Sequence, residues 1–161
     1  MVASIHLLCV GKMKRGPEQD LLTRYTDRAR ATGKQLGLGK ITITEFPESR
    51  AGTAEARKAE EAGLISARIP DGSVVVVLDE RGKAISTRQF SQILSAAFGQ
   101  ARPICFVIGG ADGLDPSLRE KADHCICFGA MTVPHQIARI LLAEQIYRGT
   151  TVLTNHPYHR D

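Results

Sequence analysis

Histidine, tyrosine and arginine side chains are concentrated near the end of this 161-residue chain. His135 and Arg139 are four residues apart, so they lie on one face of a helix if the segment is helical. Tyr158, His159 and Arg160 follow one another close to the C-terminus. Imidazole can accept a proton near neutral pH, and a guanidinium group can stabilise an anion. Because terminal segments are usually frayed and poor in information, this cluster predicts that the tail takes part in a site.

The loop before His135 favours a functional role for the pair over a surface pair or a helix cap. His135 would lie in the first turn of its helix, just after a loop that begins at Gly129. A helix N-terminus attracts anionic groups, and an RNA phosphate or an ionising base edge would qualify.

Three apolar runs of the chain each end in a loop that contains glycine. Short apolar runs of this kind are typical of buried parallel strands, and ligands bind at the carboxyl ends of such strands. The loops therefore predict one ligand site, although any one of them alone would more often be a tight turn. The loops carry no Gly-x-Gly-x-x-Gly and no Gly-x4-Gly-Lys-Ser/Thr pattern, which weighs against nicotinamide or nucleoside triphosphate chemistry. The runs with their loops are Val74–Leu78 with 79–82, Ile104–Ile108 with 109–113, and Cys125–Phe128 with 129–135.

The elements that position these residues alternate between strand and helix. Strands are predicted over 4–10 and 41–46 in addition to the three runs, and helices begin at Pro17, Ala54, Thr87 and Pro116 and after Pro134. Ser86 and Gln89 form a capping-box pattern for the third helix. This alternation predicts an α/β sandwich with a mainly parallel sheet. With 161 residues the chain is expected to form one domain, residues 1–161.

The last helix differs from the others because it is apolar around nearly its whole circumference. Between Ile137 and Tyr147 only Arg139, Glu144 and Gln145 are strongly polar. Such a helix must be covered on more than one side. We expect the sheet to cover one face and a second subunit the other, which predicts a homodimer built around the helix 134–147. Leu142 and Ile146 are expected to be buried against one or the other.

Composition excludes several classes of protein. An apolar content of 43% and a charged content of 24% are ordinary for a globular domain, and no apolar run has the length of a membrane span. The four cysteines all lie in apolar runs, as expected of reduced thiols in a cytoplasmic protein. His124, Cys125 and Cys127 lack a second ligand pair at metal-site spacing, so no metal is expected. The net charge of +4 is compatible with a polyanionic partner without establishing one.

These motifs together resemble the small SPOUT-class ribosomal RNA methyltransferases. The nearest branch is the family that methylates N3 of a pseudouridine in 23S rRNA of the large ribosomal subunit. The resemblance spans essentially the whole chain and is strongest after Ile104. It is carried by Val10-Gly-Lys12, Leu78-Asp79 with Gly82, Ile108-Gly-Gly-Ala-Asp-Gly113, Met131-Thr-Val-Pro-His-Gln136 through Arg139, and Tyr158-His-Arg160.

The resemblance implies a deep trefoil knot over about residues 104–161, a homodimer with the target base at the subunit junction, and S-adenosylmethionine as cofactor. One departure from the family is Gly129, where a serine is common. A backbone contact to the cofactor would survive this change. The matching cofactor-binding positions are Leu78, Gly109, Gly129, Ala130, Met131, Thr132, Val133 and Pro134.

For methyl transfer to an imide nitrogen, a base must take the proton and a cation can stabilise the resulting anion. His135 and His159 are both candidates for the base, Arg139 and Arg160 for the cation, and Tyr158 could stack on a base of the RNA. Two other functions remain open at this stage. One is a nucleotide- or flavin-binding α/β enzyme, and the other is a non-catalytic RNA-binding factor for ribosome assembly.

Overall fold

A computed structural model describes residues 2–161 as a single five-stranded parallel sheet with helices on both faces. The strand order is β2-β1-β4-β3-β5, and every neighbouring pair is parallel. The predicted α/β class with a parallel sheet is confirmed. The strands are β1 (Ala3–Val10), β2 (Leu38–Phe46), β3 (Val74–Ala84), β4 (Ile104–Ile108) and β5 (His124–Cys127); the helices are α1 (Pro17–Gly33), α2 (Ala54–Ser66), α3 (Thr87–Gly99), α4 (Pro116–Lys121) and α5 (His135–Leu153), with a short 3-10 turn at Lys34–Leu36.

Local sequence signals fix where the helices begin. Pro17 occupies the start of α1, where its missing N–H costs no hydrogen bond. The Ser86 side chain accepts from the Gln89 amide, and the Gln89 side chain accepts from the Ser86 amide, so the predicted capping box is confirmed. The side chain of Asp115 accepts from the Ser117 amide at the start of α4.

The sheet is buried on both faces, which explains its strands of nearly continuous apolar residues. On one face α1, α3 and α5 pack over side chains that include Ile5, Val76 and Phe106. On the other face α2 and α4 pack over Leu8, Val77 and neighbouring residues.

Helix α5 is covered mostly by its own chain, which corrects the argument made from its composition. It packs against α1 and α3 as well as against the sheet. Leu142 and Ile146 are 0% and 1% exposed, so they belong to the core of one chain and cannot form a subunit contact. The large apolar side chains that α5 leaves exposed are Ile137 and Leu141.

Strand β3 runs further than the sequence predicted. Leu78 and Lys83 both pair with Ile126 of β5, so residues 79–82 form a bulge instead of a closing turn. Gly82 allows this approach, because a Cβ there would lie 2.5 Å from the carbonyl carbon of Ile126.

The path of the C-terminal third crosses from one side of the sheet to the other. Helix α4, which leads to the edge strand β5, packs on one face, and α5, which follows β5, packs on the opposite face. The trefoil knot over about residues 104–161 remains an expectation from the resemblance.

Candidate active site

The bulge of β3 and the carboxyl ends of β4 and β5 enclose a pocket of about 620 Å³. This volume lies in the range of small-molecule sites. Leu78 at the end of the first predicted run, and Gly109 and Gly129 in the other two predicted loops, all line the pocket. The structure therefore brings together three segments that are separated by up to about 50 residues in the sequence.

The chain from Gly129 to Pro134 forms the outer wall of the pocket. Met131, Thr132, Val133 and Pro134 line it, whereas Ala130 is exposed and does not. Met131 is 88% exposed, so its side chain is available to a ligand or to another chain.

Glycine is required in two of the pocket loops for different reasons. A Cβ on Gly109 would lie 2.8 Å from the Gly113 carbonyl oxygen, so any side chain would displace the 109–113 loop. Gly129 has a φ of +124°, a conformation that residues with a side chain rarely adopt. Both glycines line the pocket, and each has a local reason for lacking a side chain.

Ion pairs fix the charged rim of the pocket. Arg57 of α2 donates to both carboxylate oxygens of Asp112, at 2.7 and 3.1 Å, and thereby ties the glycine loop to α2. Hydrogen bonding from Arg57 lowers the pKa of Asp112. Arg119 of α4 reaches Asp79 at 3.4 Å and the Leu114 carbonyl at 3.2 Å. These pairs hold the loops in place before any ligand enters.

His135 is the predicted catalytic side chain that lines this pocket. It is the first residue of α5 and is half-buried. Its Nε2 lies 3.6 Å from the position that a Cβ on Gly11 would occupy, so the imidazole lies between the pocket and the end of β1. An imidazole here could accept a proton from a substrate placed against the pocket.

Arg139 follows one turn later but is turned away from the pocket. Its side chain is 1% exposed and donates to Glu45 Oε2 at 2.7 Å and to the Gly11 carbonyl at 3.2 Å. Its Nε has no hydrogen-bond partner among residues 2–161. Because this guanidinium is buried, a substrate at the surface does not reach it, and the expected contact with an anionic base is not formed. Arg139 instead fixes the end of β1 through the Gly11 carbonyl.

The tail lies far from the pocket of its own chain. The Tyr158 hydroxyl donates to Glu144 at 3.0 Å, and the Tyr158 ring packs on Tyr147 with centroids 4.6 Å apart. Nine residues of helix separate His135 from Glu144, which is about 13 Å along the axis. Within one chain, Tyr158, His159 and Arg160 therefore do not join His135.

Arg148 and Asp161 hold His159 within the docked tail. A His159 ring nitrogen lies 3.3 Å from the Arg148 guanidinium, and the other lies 3.0 Å from Asp161. Asp161 also pairs with Arg88 of α3. The Arg148 guanidinium stacks 4.7 Å from the Tyr158 ring centroid. The exposed Arg160 makes no ion pair among residues 2–161.

Sequence reasoning missed Glu45 and Glu144, the two carboxylates that organise these contacts. Glu45 lies in the predicted strand 41–46, and it accepts from the Met13 amide at 2.7 Å as well as from Arg139. Glu144 accepts from Arg148, Gln145 and Tyr158. An acidic residue within an otherwise apolar helix was the available signal for Glu144.

Within residues 2–161 there is no group of three His, Cys, Asp or Glu side chains arranged to hold a metal ion. The same residues contain no helix with the length and apolar character that crossing a bilayer demands. All four cysteines are free, and burial raises the pKa of Cys9 and Cys105 to about 12.

Comparison with known proteins identifies a family and several relatives. The model of a family described as "Predicted SPOUT methyltransferase" matches residues 3–159. The chain is 51% identical over 157 residues to the ribosomal RNA large subunit methyltransferase H of Rhizobium rhizogenes, covering 97% of this chain and 98% of the relative. It is 51% identical over 158 residues, with the same coverage, to the protein of that name from Sinorhizobium medicae. A solved structure described as a probable methyltransferase from Bordetella pertussis shares the fold, with a TM-score of 0.53, 16% identity, and coverage of 91% of this chain and 93% of that chain.

Proposed function

The chain belongs to the SPOUT methyltransferase family, and on that premise we propose that it methylates 23S rRNA of the large ribosomal subunit with S-adenosylmethionine as donor. The observation that carries the proposal is the pocket formed by the three glycine-bearing loops at Leu78, Gly109 and Gly129–Pro134. Relatives that are named ribosomal RNA large subunit methyltransferase H cover nearly the whole chain, which supports the choice of RNA. A cytoplasmic location, where ribosomes work, is part of the proposal.

The residues at the pocket fit S-adenosylmethionine. Gly109, Gly129 and the non-helical segment from Met131 to Pro134 all line the pocket, so their backbone amides and carbonyls are available to hold the cofactor. When bound, S-adenosylmethionine supplies a methyl group activated by the adjacent sulfonium. The protein's own work is to place the acceptor in line and to exclude water, so positioning and electrostatics should dominate the rate.

The acceptor in the proposal is N3 of a pseudouridine, the target of the family that the motifs resemble. This nitrogen carries a proton that must leave before or during methyl transfer. His135 is placed at the pocket and is our first candidate to accept it through an imidazole nitrogen. His159 is the alternative, and it would have to come from a second subunit because the tail of the same chain lies along α5.

A homodimer completes this proposal. Ile137 and Leu141 are 39% and 37% exposed and four residues apart, so they form an apolar stripe on α5 that continues to Met131 and Val133 beside the pocket. Burial of this stripe by a second copy would bring the partner's tail near the cofactor loops. The exposed Arg160 of that tail would then stabilise charge. For Tyr158 to stack on RNA, as its chemistry allows, its ring would have to leave Tyr147 and Arg148.

Two measurements on the purified protein test the function. Isothermal titration calorimetry should show saturable binding of S-adenosylmethionine. Transfer of a labelled methyl group to ribosomes from cells that lack this protein should follow, and mass spectrometry of the 23S rRNA should locate one added methyl on a pseudouridine. Cofactor binding without transfer to any RNA would contradict the proposal.

A further inference from the structure

Three cations on the loop between β1 and α1 have no role in the site described above. Lys12, Lys14 and Arg15 are exposed. Within residues 2–161, none of the three has a carboxylate within salt-bridge distance. Lys12 also lowers the pKa of Glu45 through its charge, so part of its field is offset. Three positive charges in four consecutive residues nevertheless outnumber this carboxylate and create a local field that attracts anions.

The backbone of this loop is held rigidly by contacts that leave the three cations outside. Met13, between the two lysines, is 8% exposed and packs with Leu22, Ile140 and Ala143. The amide of Met13 donates to Glu45 at 2.7 Å. Because Met13 is buried, the backbone on either side of it is held in place. Lys12 and Lys14 cannot shift far unless Met13 leaves the core.

A second set of contacts fixes the start of the loop. The Gly11 amide donates to the Phe46 carbonyl at 2.7 Å, and the Gly11 carbonyl accepts from Arg139 at 3.2 Å. Arg139 in turn pairs with Glu45, the acceptor for Met13. The pair of buried Arg139 and partly exposed Glu45 therefore fixes the basic loop to α5 and β2.

The loop begins beside the pocket. Gly11 is adjacent to His135, whose Nε2 would lie 3.6 Å from a Cβ at that position. Val10, the residue before it, touches the glycine loop of β4, because a Cβ on Gly110 would lie 3.0 Å from a Val10 methyl carbon. A polyanion that places one group at His135 would thus pass the basic loop as it leaves the pocket.

We propose that Lys12, Lys14 and Arg15 form a preformed docking surface for the phosphates of the RNA that flank the target nucleotide. The inference rests on the proposed function and names how that substrate is held. Phosphate contacts set the position and orientation of a nucleic acid without reading its sequence. Because the loop is already ordered, little conformational entropy is lost when RNA binds.

A charge-matched pair of variants tests this surface. The first variant is Lys12→Gln, Lys14→Gln and Arg15→Gln. The control is Lys34→Gln, Lys40→Gln and Lys121→Gln, which removes three exposed charges at or before the amino ends of β2 and β5. For each protein, kcat and KM for ribosomes are measured at several salt concentrations, together with affinity for S-adenosylmethionine. Filter binding to protein-free 23S rRNA is measured in parallel.

We expect the loop variant to raise KM at least tenfold while kcat and cofactor affinity change less than twofold. Its plot of log(kcat/KM) against log salt should be shallower than that of the wild type by about 2 to 3, as expected for three lost phosphate contacts. The control should match the wild type. Equal behaviour of the two variants would overturn the inference while leaving the proposed function intact.

Two other results are equally decisive. A loop variant that loses affinity for ribosomes but binds protein-free 23S rRNA as the wild type does would assign the loop to a ribosomal protein and overturn the inference. A wild-type protein that transfers no methyl group to any RNA would overturn both the inference and the proposed function. Equal thermal unfolding midpoints of the two variants would show that folding is not the cause of any difference.

Discussion

The Tyr158 hydroxyl donates a 3.0 Å hydrogen bond to the carboxylate of Glu144, so the last residues of the chain are tied to the middle of α5. Glu144 also accepts from Arg148, whose guanidinium stacks on the Tyr158 ring. The tail is therefore an ordered extension of α5, and its position can be tested through the side chains that hold it.

The Tyr158 phenol should keep its proton at unusually high pH. Burial, and then the hydrogen bond and negative charge of Glu144, raise its pKa to about 12. Because the folded state holds this proton above the ordinary tyrosine pKa of about 10, the stabilisation is complete below pH 10 and is lost as pH rises toward 12. Glu144→Gln should lower the pKa of Tyr158, measured by NMR of ring-labelled tyrosine. The matched control Glu120→Gln should leave the pKa unchanged.

Removing residues 158–161 should reduce methyl transfer by orders of magnitude while S-adenosylmethionine affinity stays within about twofold, because the pocket contains none of these residues. Loss of the packing between Tyr158 and Tyr147 should also lower the thermal midpoint modestly. His159→Ala should reduce turnover more than cofactor binding. The measurements are labelled methyl transfer and calorimetry, and transfer at the wild-type rate by the truncated protein would exclude a catalytic tail.

Mixed dimers test whether the site is shared between subunits. Each subunit of a heterodimer would carry either the tail deletion or His135→Ala, so that one of the two junctions combines an intact pocket with an intact tail. Partial recovery of methyl transfer on mixing is expected. His135→Ala is the better partner than Arg139→Ala, because Arg139 is buried and its loss would damage the fold.

Gly109→Val should abolish binding of S-adenosylmethionine. The new Cβ would lie 2.8 Å from the Gly113 carbonyl oxygen, so the 109–113 loop would have to move. Because this loop lines the pocket, its movement would change the shape of the cofactor site. The matched control is Gly63→Ala in α2, where a Cβ meets no atom within 4 Å and helix propensity favours alanine. Unchanged affinity of Gly109→Val by calorimetry would remove this loop from the cofactor site.

Ile137→Glu and Leu141→Glu should each yield a folded monomer, because both side chains are exposed on the surface proposed for the dimer contact. Leu142→Glu should instead unfold the chain, because Leu142 is fully buried and the new carboxylate would lose its hydration without gaining a partner. Light scattering and circular dichroism separate the two outcomes. A wild-type protein that is a fully active monomer would exclude the dimer.

Arg139→Ala should lower the free energy of unfolding by about 2–3 kcal/mol, somewhat less than a fully buried ion pair costs when broken, because Glu45 remains 30% exposed. Burial alone would raise the pKa of Glu45, but the Met13 amide and Arg139 outweigh it and the pKa lies below its ordinary value. The stabilisation is thus present above pH 4.5 and is lost as pH falls further. Denaturant unfolding should show a smaller acid-dependent loss in Glu45→Gln than in the wild type.

The sequence by itself determined the alternation of strands and helices, the parallel class of the sheet and the loops that line the pocket. The apolar run Ile104–Ile108 is buried on both faces, and the chain leaves the sheet at the glycines that follow it. The Ser86–Gln89 capping box follows from local chemistry alone. For these features the physical cause lies within a few residues of its effect, so spacing and residue type were enough.

The tertiary structure decided which way side chains point and which surfaces remain open. Helical spacing placed His135 and Arg139 on one face, but only the packing of α5 against the ends of β1 and β2 turned Arg139 into a buried partner of Glu45. The apolar circumference of α5 predicted burial, yet whether α1, α3 or a second chain covers Leu142 depends on contacts between distant segments. Likewise, residue 82 must be glycine because a side chain there would collide with the backbone of Ile126, which lies 44 residues further along the chain. Residue type determines which interactions a side chain can form, and the long-range packing of the chain determines which partner it meets.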